Sequence, residues 1–178
     1  MIIDKNFKGL VYRDGHYFYD GNIETTENLE IQLDCWLEVT GSIKAGWYIK
    51  AGWSIDAGGY IKAGGYIDAG GYIKVGWSID AGGYIKAGRY IKAGRSIEAG
   101  GSIDAGGSIK AGEYIKAGRS IEAGGSIEAG ESYGISAGLQ ITAKETITCG
   151  LKIFAGICTW KNTNDSEKTI TCSKLISG

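Results

Sequence analysis

The chain has 178 residues, 31 of them glycine and none proline, with a formal net charge of −1. That size suits one domain; the absence of proline excludes collagen, and a hydrophobic fraction of 43% disfavours disorder. No stretch approaches the ~20 apolar residues of a membrane-spanning helix, and a near-zero charge gives no global pull toward nucleic acid or acidic membranes.

Residues 1–30 read as an N-terminal cap. Residues 1–8 carry Asp4, Lys5 and Lys8 and no apolar stretch, which does not resemble a secretory signal. Four cysteines in such a chain read as reduced thiols, and the expected compartment is the cytoplasm. Leu10-Val11-Tyr12 and Tyr17-Phe18-Tyr19 flank a turn at Asp14-Gly15, which predicts a β-hairpin.

Residues 31–157 follow a six-residue period. Consecutive units read GYIKAG, GYIDAG and GYIKVG, and Ile occupies position 43 and every sixth position through 127, fifteen units in all. The phase extends back to Leu37 and Ile31. It slips by two residues at Ser132-Tyr133-Gly134, then resumes at Ile135, Ile141, Ile147 and Ile153. A helix face recurs near 3.6 residues, so a period of six is not helical. Within each unit, [Tyr/Ser]-Ile-[Lys/Asp/Glu]-Ala alternates out, in, out, in, as a short strand does. The glycine after Ala is expected to supply backbone freedom at a corner. One unit cannot bury its Ile alone, so the units must stack as a solenoid.

These units resemble the hexapeptide-repeat proteins, whose branched aliphatic recurs every six residues, and more loosely the bactofilins. The resemblance implies a parallel β-helix of the left-handed type; the period by itself leaves handedness open. Stacking residues 18 apart, as three sides require, places opposite charges together 7 times and like charges 5 times between Lys44 and Glu128. Four sides score 3 to 8 and two sides 8 to 5. Charge therefore disfavours four, and the resemblance selects three. The expected fold is an all-β, single-domain parallel β-solenoid of about seven coils. Residues 158–178 form a C-terminal cap, read as a second hairpin in which 158–160 and 169–172 flank a polar loop.

The resemblance also raises acyltransferase chemistry, in which a histidine base sits at a coil edge beside long loops. This chain has one histidine, His16, read as an exposed turn residue. The repeat carboxylates, such as Asp56, Asp68 and Asp104, read as a solvated charge ladder. Cys149, Cys158 and Cys172 lack metal-ligand spacing. No catalytic residue, cofactor or metal is expected.

What points outward is more informative. Tyr48, Tyr60, Tyr66, Tyr72, Tyr84 and Tyr90 precede the inward Ile, and Trp47, Trp53 and Trp77 occupy corners. Exposed aromatics mark contact surfaces. With Arg89 and Arg95 at corners, these residues are the candidate partner-binding set. They concentrate in the first half; between 96 and 132 the tyrosine slot is mostly serine. The expected function is a non-enzymatic solenoid that docks on and inhibits a larger protein or protein–nucleic-acid machine, in the manner of phage or mobile-element counter-defence proteins such as anti-CRISPRs. The alternative is a self-assembling scaffold of bactofilin-like character, with a hexapeptide-repeat acyltransferase third. Direct nucleic-acid binding is a weaker expectation, because acids interleave with the basic residues along the chain. No membrane partner is expected.

Overall fold

A computed structural model describes residues 1–158 and 162–177. The chain is an all-β parallel solenoid with three sheets. Among the described residues the sheets hold nine, ten and eight strands, so the solenoid makes about eight turns. Sheet 1 carries the strands beginning at Ile49, Ile67, Ile85, Ile103 and Ile121. Sheet 2 carries those beginning at Ile55, Ile73, Ile91, Ile109 and Ile127. Sheet 3 carries those beginning at Ile43, Ile61, Ile79, Ile97 and Ile115. Each residue in this region therefore stands on the one 18 positions earlier, as Ile67 on Ile49 and Ile91 on Ile73. No helix among the described residues is long and apolar enough to cross a membrane.

The alternation within each unit places the Ile side chains in one continuous core. All fifteen from Ile43 to Ile127 have no exposed surface, and the Ala slot two residues later is also buried. Each such Ile contributes roughly 1.5–3 kcal/mol by leaving water. Coils are joined along the strands and through the corners. Ile67 N–H donates to the Tyr84 carbonyl at 3.0 Å, Gly70 N–H to the Ala51 carbonyl at 3.0 Å, and at a corner Arg95 N–H to the Trp77 carbonyl at 2.9 Å.

The corner glycines have a different cause from the one expected. Among the described residues, positive φ in glycines is confined to Gly9, Gly15, Gly21 and Gly156, none of them a corner of the fifteen-unit run. The constraint is close approach instead: a Cβ on Gly64, Gly82 or Gly100 would overlap the carbonyl oxygen of Gly46, Gly64 or Gly82 directly beneath it. Glycine is present because stacked corners leave no room for a side chain.

The stack begins before residue 31. Ile23–Thr25 pairs with Ile43–Ala45, and Leu29–Ile31 pairs with Ile49–Ala51. Leu29, not Ile31, occupies the Ile slot; Ile31 stands opposite Ala51. Two extra residues between Leu29 and Leu37 shift the phase, just as the slip before Ile135 does, which leaves Ile135 over Ile115 at a spacing of 20. The N-terminal hairpin forms as expected. Leu10–Arg13 pairs antiparallel with His16–Tyr19 across Asp14 and Gly15, both at positive φ, as a two-residue hairpin turn requires. Its second strand adds to sheet 2, pairing parallel with Leu37–Val39.

At the other end, Ile170–Thr171 and Lys174–Ser177 pair parallel with strands of sheets 1 and 2. The described part of this cap thus continues the parallel stacking instead of forming a hairpin. A short 3-10 helix, Asp165–Lys168, precedes these strands and is capped by Asn164. Thr159 and Trp160 of the expected hairpin lie outside the described residues.

Candidate functional site

The eleven candidate contact residues do not share one face. Tyr48, Tyr66 and Tyr84 form a column at the start of the sheet 1 strands, beside the corner that holds Trp47. Tyr72 and Tyr90 form the equivalent column on sheet 2, with Trp53 and Arg89 at its corner. Tyr60, Trp77 and Arg95 belong to sheet 3. Together they make a belt around the solenoid, and one flat partner can engage only part of it.

The tyrosines are also less free than expected. Tyr48–Tyr66 and Tyr66–Tyr84 stack face to face with ring centroids 4.9 and 4.8 Å apart, and Tyr72–Tyr90 at 4.7 Å. This is the rise of one coil, so each ring covers its neighbour. Tyr48, Tyr60, Tyr66, Tyr72 and Tyr90 are half-buried, and only Tyr84, at 39%, is exposed. The Tyr48 hydroxyl donates to Glu30 Oε1 at 2.8 Å, anchoring the sheet 1 column at its N-terminal end and holding the Glu30 carboxyl below its usual range. Burial, with Tyr90 alongside, pushes the Tyr72 phenol up to about 12.

The serines of the same slot hold coils together in another way. Ser42 Oγ accepts from Tyr60 N–H at 3.1 Å, Ser54 Oγ from Tyr72 N–H at 2.9 Å, and Ser108 Oγ from Ser126 N–H at 3.1 Å. Both residue types therefore have a structural use. The switch from tyrosine to serine is not by itself a mark of function.

The tryptophans carry the exposure. Trp47 is 67%, Trp53 54% and Trp77 55% accessible. Arg95 lies over Trp77, its guanidinium carbon 5.3 Å from the ring centroid. Trp47 and Trp53 stand at the two corners bounding sheet 1, with the Tyr48–Tyr66–Tyr84 column on the face between them. On this face the charge column runs Glu30, Lys50, Asp68, Lys86, Asp104, alternating at each of these steps, and ends with Asp104 opposite Glu122.

Sheet 2 is different. Lys74, Lys92 and Lys110 stand on consecutive coils, bounded by Asp56 before and Glu128 after. Lys74 pairs with Asp56 at 2.6 Å and Lys110 with Glu128 at 2.7 Å. Although acids interleave with the basic residues along the chain, stacking joins residues 18 apart and sets three lysines in a row on this face.

Both tyrosine columns stop at a serine and leave a groove, as does the single Tyr60 of sheet 3. On sheet 1, Tyr84 faces Ser102 in a groove of about 650 Å³. On sheet 2, Tyr90 faces Ser108 in one of about 540 Å³, and on sheet 3, Tyr60 faces Ser78 in one of about 250 Å³.

His16 is not an exposed turn residue. It is 7% accessible, stacks on Trp36 with ring centroids 4.0 Å apart, and its Nε2 lies 2.8 Å from Glu38 Oε2. Trp36 and Glu38 come from a unit outside the regular run, which offers no periodicity from which to infer the contact. Cys149 is in the core, where burial pushes its thiol up.

Comparison with known proteins finds no family model, no curated protein and no solved structure that matches this chain.

Proposed function

We propose that this chain is a non-enzymatic, cytoplasmic binding solenoid that docks on a larger protein through sheet 1, and that its repeat belongs with the left-handed hexapeptide-repeat helices. One observation carries the docking reading: Trp47 and Trp53 stand exposed at the corners on either side of the Tyr48–Tyr66–Tyr84 column. Aromatic groups central to a face, with charges of both signs beside them, are the composition of protein interfaces. The alternating charges fit a protein better than a polyanion. Inhibition of the machine so bound is the role we attach to this docking. The non-enzymatic reading is supported by His16, whose ring is covered by Trp36 and hydrogen-bonded to Glu38.

The test compares the full chain with the triple variant Trp47→Gly, Tyr66→Ser, Tyr84→Ser. Gly65 and Ser102 already fill the same slots one or more coils away, so the fold has room for these changes. The variant should melt close to the parent and lose a partner that the parent captures in fixed stoichiometry. Retention of that partner by the folded variant contradicts docking through sheet 1.

A second reading, a self-assembling scaffold, rests on the C-terminal end. The last strands of all three sheets lie there among the described residues, and Leu151, Phe154, Ile157 and Leu175 are exposed near them. Open strand ends and apolar side chains together favour end-to-end association.

A further inference from the structure

We infer that the groove between Tyr90 and Ser108 on sheet 2 is a binding site for a small planar aromatic anion of the nucleoside monophosphate class. This site is separate from the protein-docking face on sheet 1. One face of the Tyr90 ring is covered by Tyr72 at 4.7 Å, nearly parallel at 3°. The other faces the groove, because the next coil places Ser108 where a third ring would stand. A flat ring laid on that face continues the ladder at its own spacing, which is also the spacing of stacked rings in general. Gly106 and Gly107 line the groove beside it and put no side chain of their own into it.

Charge selects the ligand. The charged residues lining this groove are Arg89, Lys92 and Lys110, with no acid among them. The sheet 1 groove has the same Tyr-over-Ser construction but is lined by Asp68 and Asp104 as well as Lys86 and Arg119. The sheet 3 groove sets Asp80 beside Lys62 and Arg95. Of these three grooves, only the one on sheet 2 has no acid in its lining, and it sets three cations around the open tyrosine face; the groove of about 440 Å³ beside Tyr114 and Phe154 also lacks an acid but holds two lysines, Lys116 and Lys152, of which Lys116 is paired with Glu98. Lys92 stands between Lys74 and Lys110, both already paired with acids at their far sides, and like charges opposite one another destabilise a sheet. A phosphate placed among Lys92, Lys110 and Arg89 relieves that repulsion while the base covers Tyr90. Asp56 and Glu128 close the stripe at both ends, so the site fits a single nucleotide and repels a continuing strand.

The test is titration of the full chain with AMP at low salt, followed by calorimetry and ligand-observed NMR, with adenosine and inorganic phosphate as separate arms. AMP should bind more tightly than either arm, and Tyr90→Ser should weaken it about tenfold, within the range of a lost stacking contact. Lys92→Glu should abolish binding while raising the melting temperature, since it converts a like-charge rung to opposite charges. That combination separates loss of the site from loss of the fold. Tyr84→Ser, at the mixed-charge groove, should leave AMP affinity unchanged. Absence of AMP binding up to roughly 5 mM overturns the inference. So does adenosine or phosphate binding equal to AMP, or equal weakening by Tyr84→Ser. An oligothymidine that binds far more tightly than AMP, with a salt dependence of several phosphates, also overturns it, in favour of a single-strand surface.

Discussion

Gly64 lies directly over the carbonyl oxygen of Gly46, close enough that a Cβ on Gly64 would overlap it. This contact recurs along the corners and explains the fixed glycine better than backbone freedom does. Gly52 is the exception. An added Cβ there meets nothing within 4 Å, because the coil beneath carries the two-residue insertion between Leu29 and Leu37. Gly64→Ala should therefore cost about 1–3 kcal/mol, as overpacking does, whereas Gly52→Ala should change stability by less than about 0.5 kcal/mol. Urea denaturation of the two variants checks the difference; equal losses would return the explanation to φ.

The isoleucine core predicts a second contrast. Ile85 is fully buried between Ile67 and Ile103. Ile85→Ala should lose about 2–5 kcal/mol and Ile85→Val about 0.5–1.5 kcal/mol. Both are read from denaturation midpoints.

The stacked tyrosines make stability fall in alkali. The Tyr72 phenol is held up to about 12, against an ordinary value of 10.0, chiefly by burial. Between these two pH values the unfolded chain has released the proton and the folded chain retains it, so stability falls as pH rises across that window. Melting curves from pH 9 upward should show the decline, and Tyr72→Ser should flatten it. Tyrosinate absorbance should show Tyr72 titrating after exposed tyrosines.

The exposed ion pairs contribute little. Lys62 and Asp80 are 2.6 Å apart, but both side chains are about half accessible. Asp80→Asn should cost less than about 1 kcal/mol, and the difference should shrink with added salt. A loss of several kcal/mol would mean that the ladder of charges, and not the Ile core, holds the coils.

The period of six and the inward Ile were legible because every strand uses the same slot and the core accepts one shape there. The phase at the N-terminal end was not. Ile31 and Leu29 are both apolar and both end up buried, so the hydrophobic pattern does not reveal an insertion between Leu29 and Leu37. Trp47, Trp53 and Trp77 could be placed at corners from the sequence, but their distribution around three edges emerges only once the coil has three sides. The Lys74–Lys92–Lys110 column was within reach of the sequence, because the 18-residue spacing pairs Lys74 with Lys92 and Lys92 with Lys110; a count of like and opposite pairs pooled over three faces conceals that two of the like pairs are consecutive on one face. The contact of His16 with Trp36 and Glu38 joins two non-repeating segments, so no period predicts it.

The most direct measurement of the central claim, a discrete solenoid that binds through its side and not through its ends, is light scattering on the eluting protein at several concentrations, with electron microscopy of the same fractions. The account predicts a mass of one or two chains that does not grow with concentration, and short rods in the images. Growth into regular filaments would contradict it and make the exposed C-terminal end the functional surface.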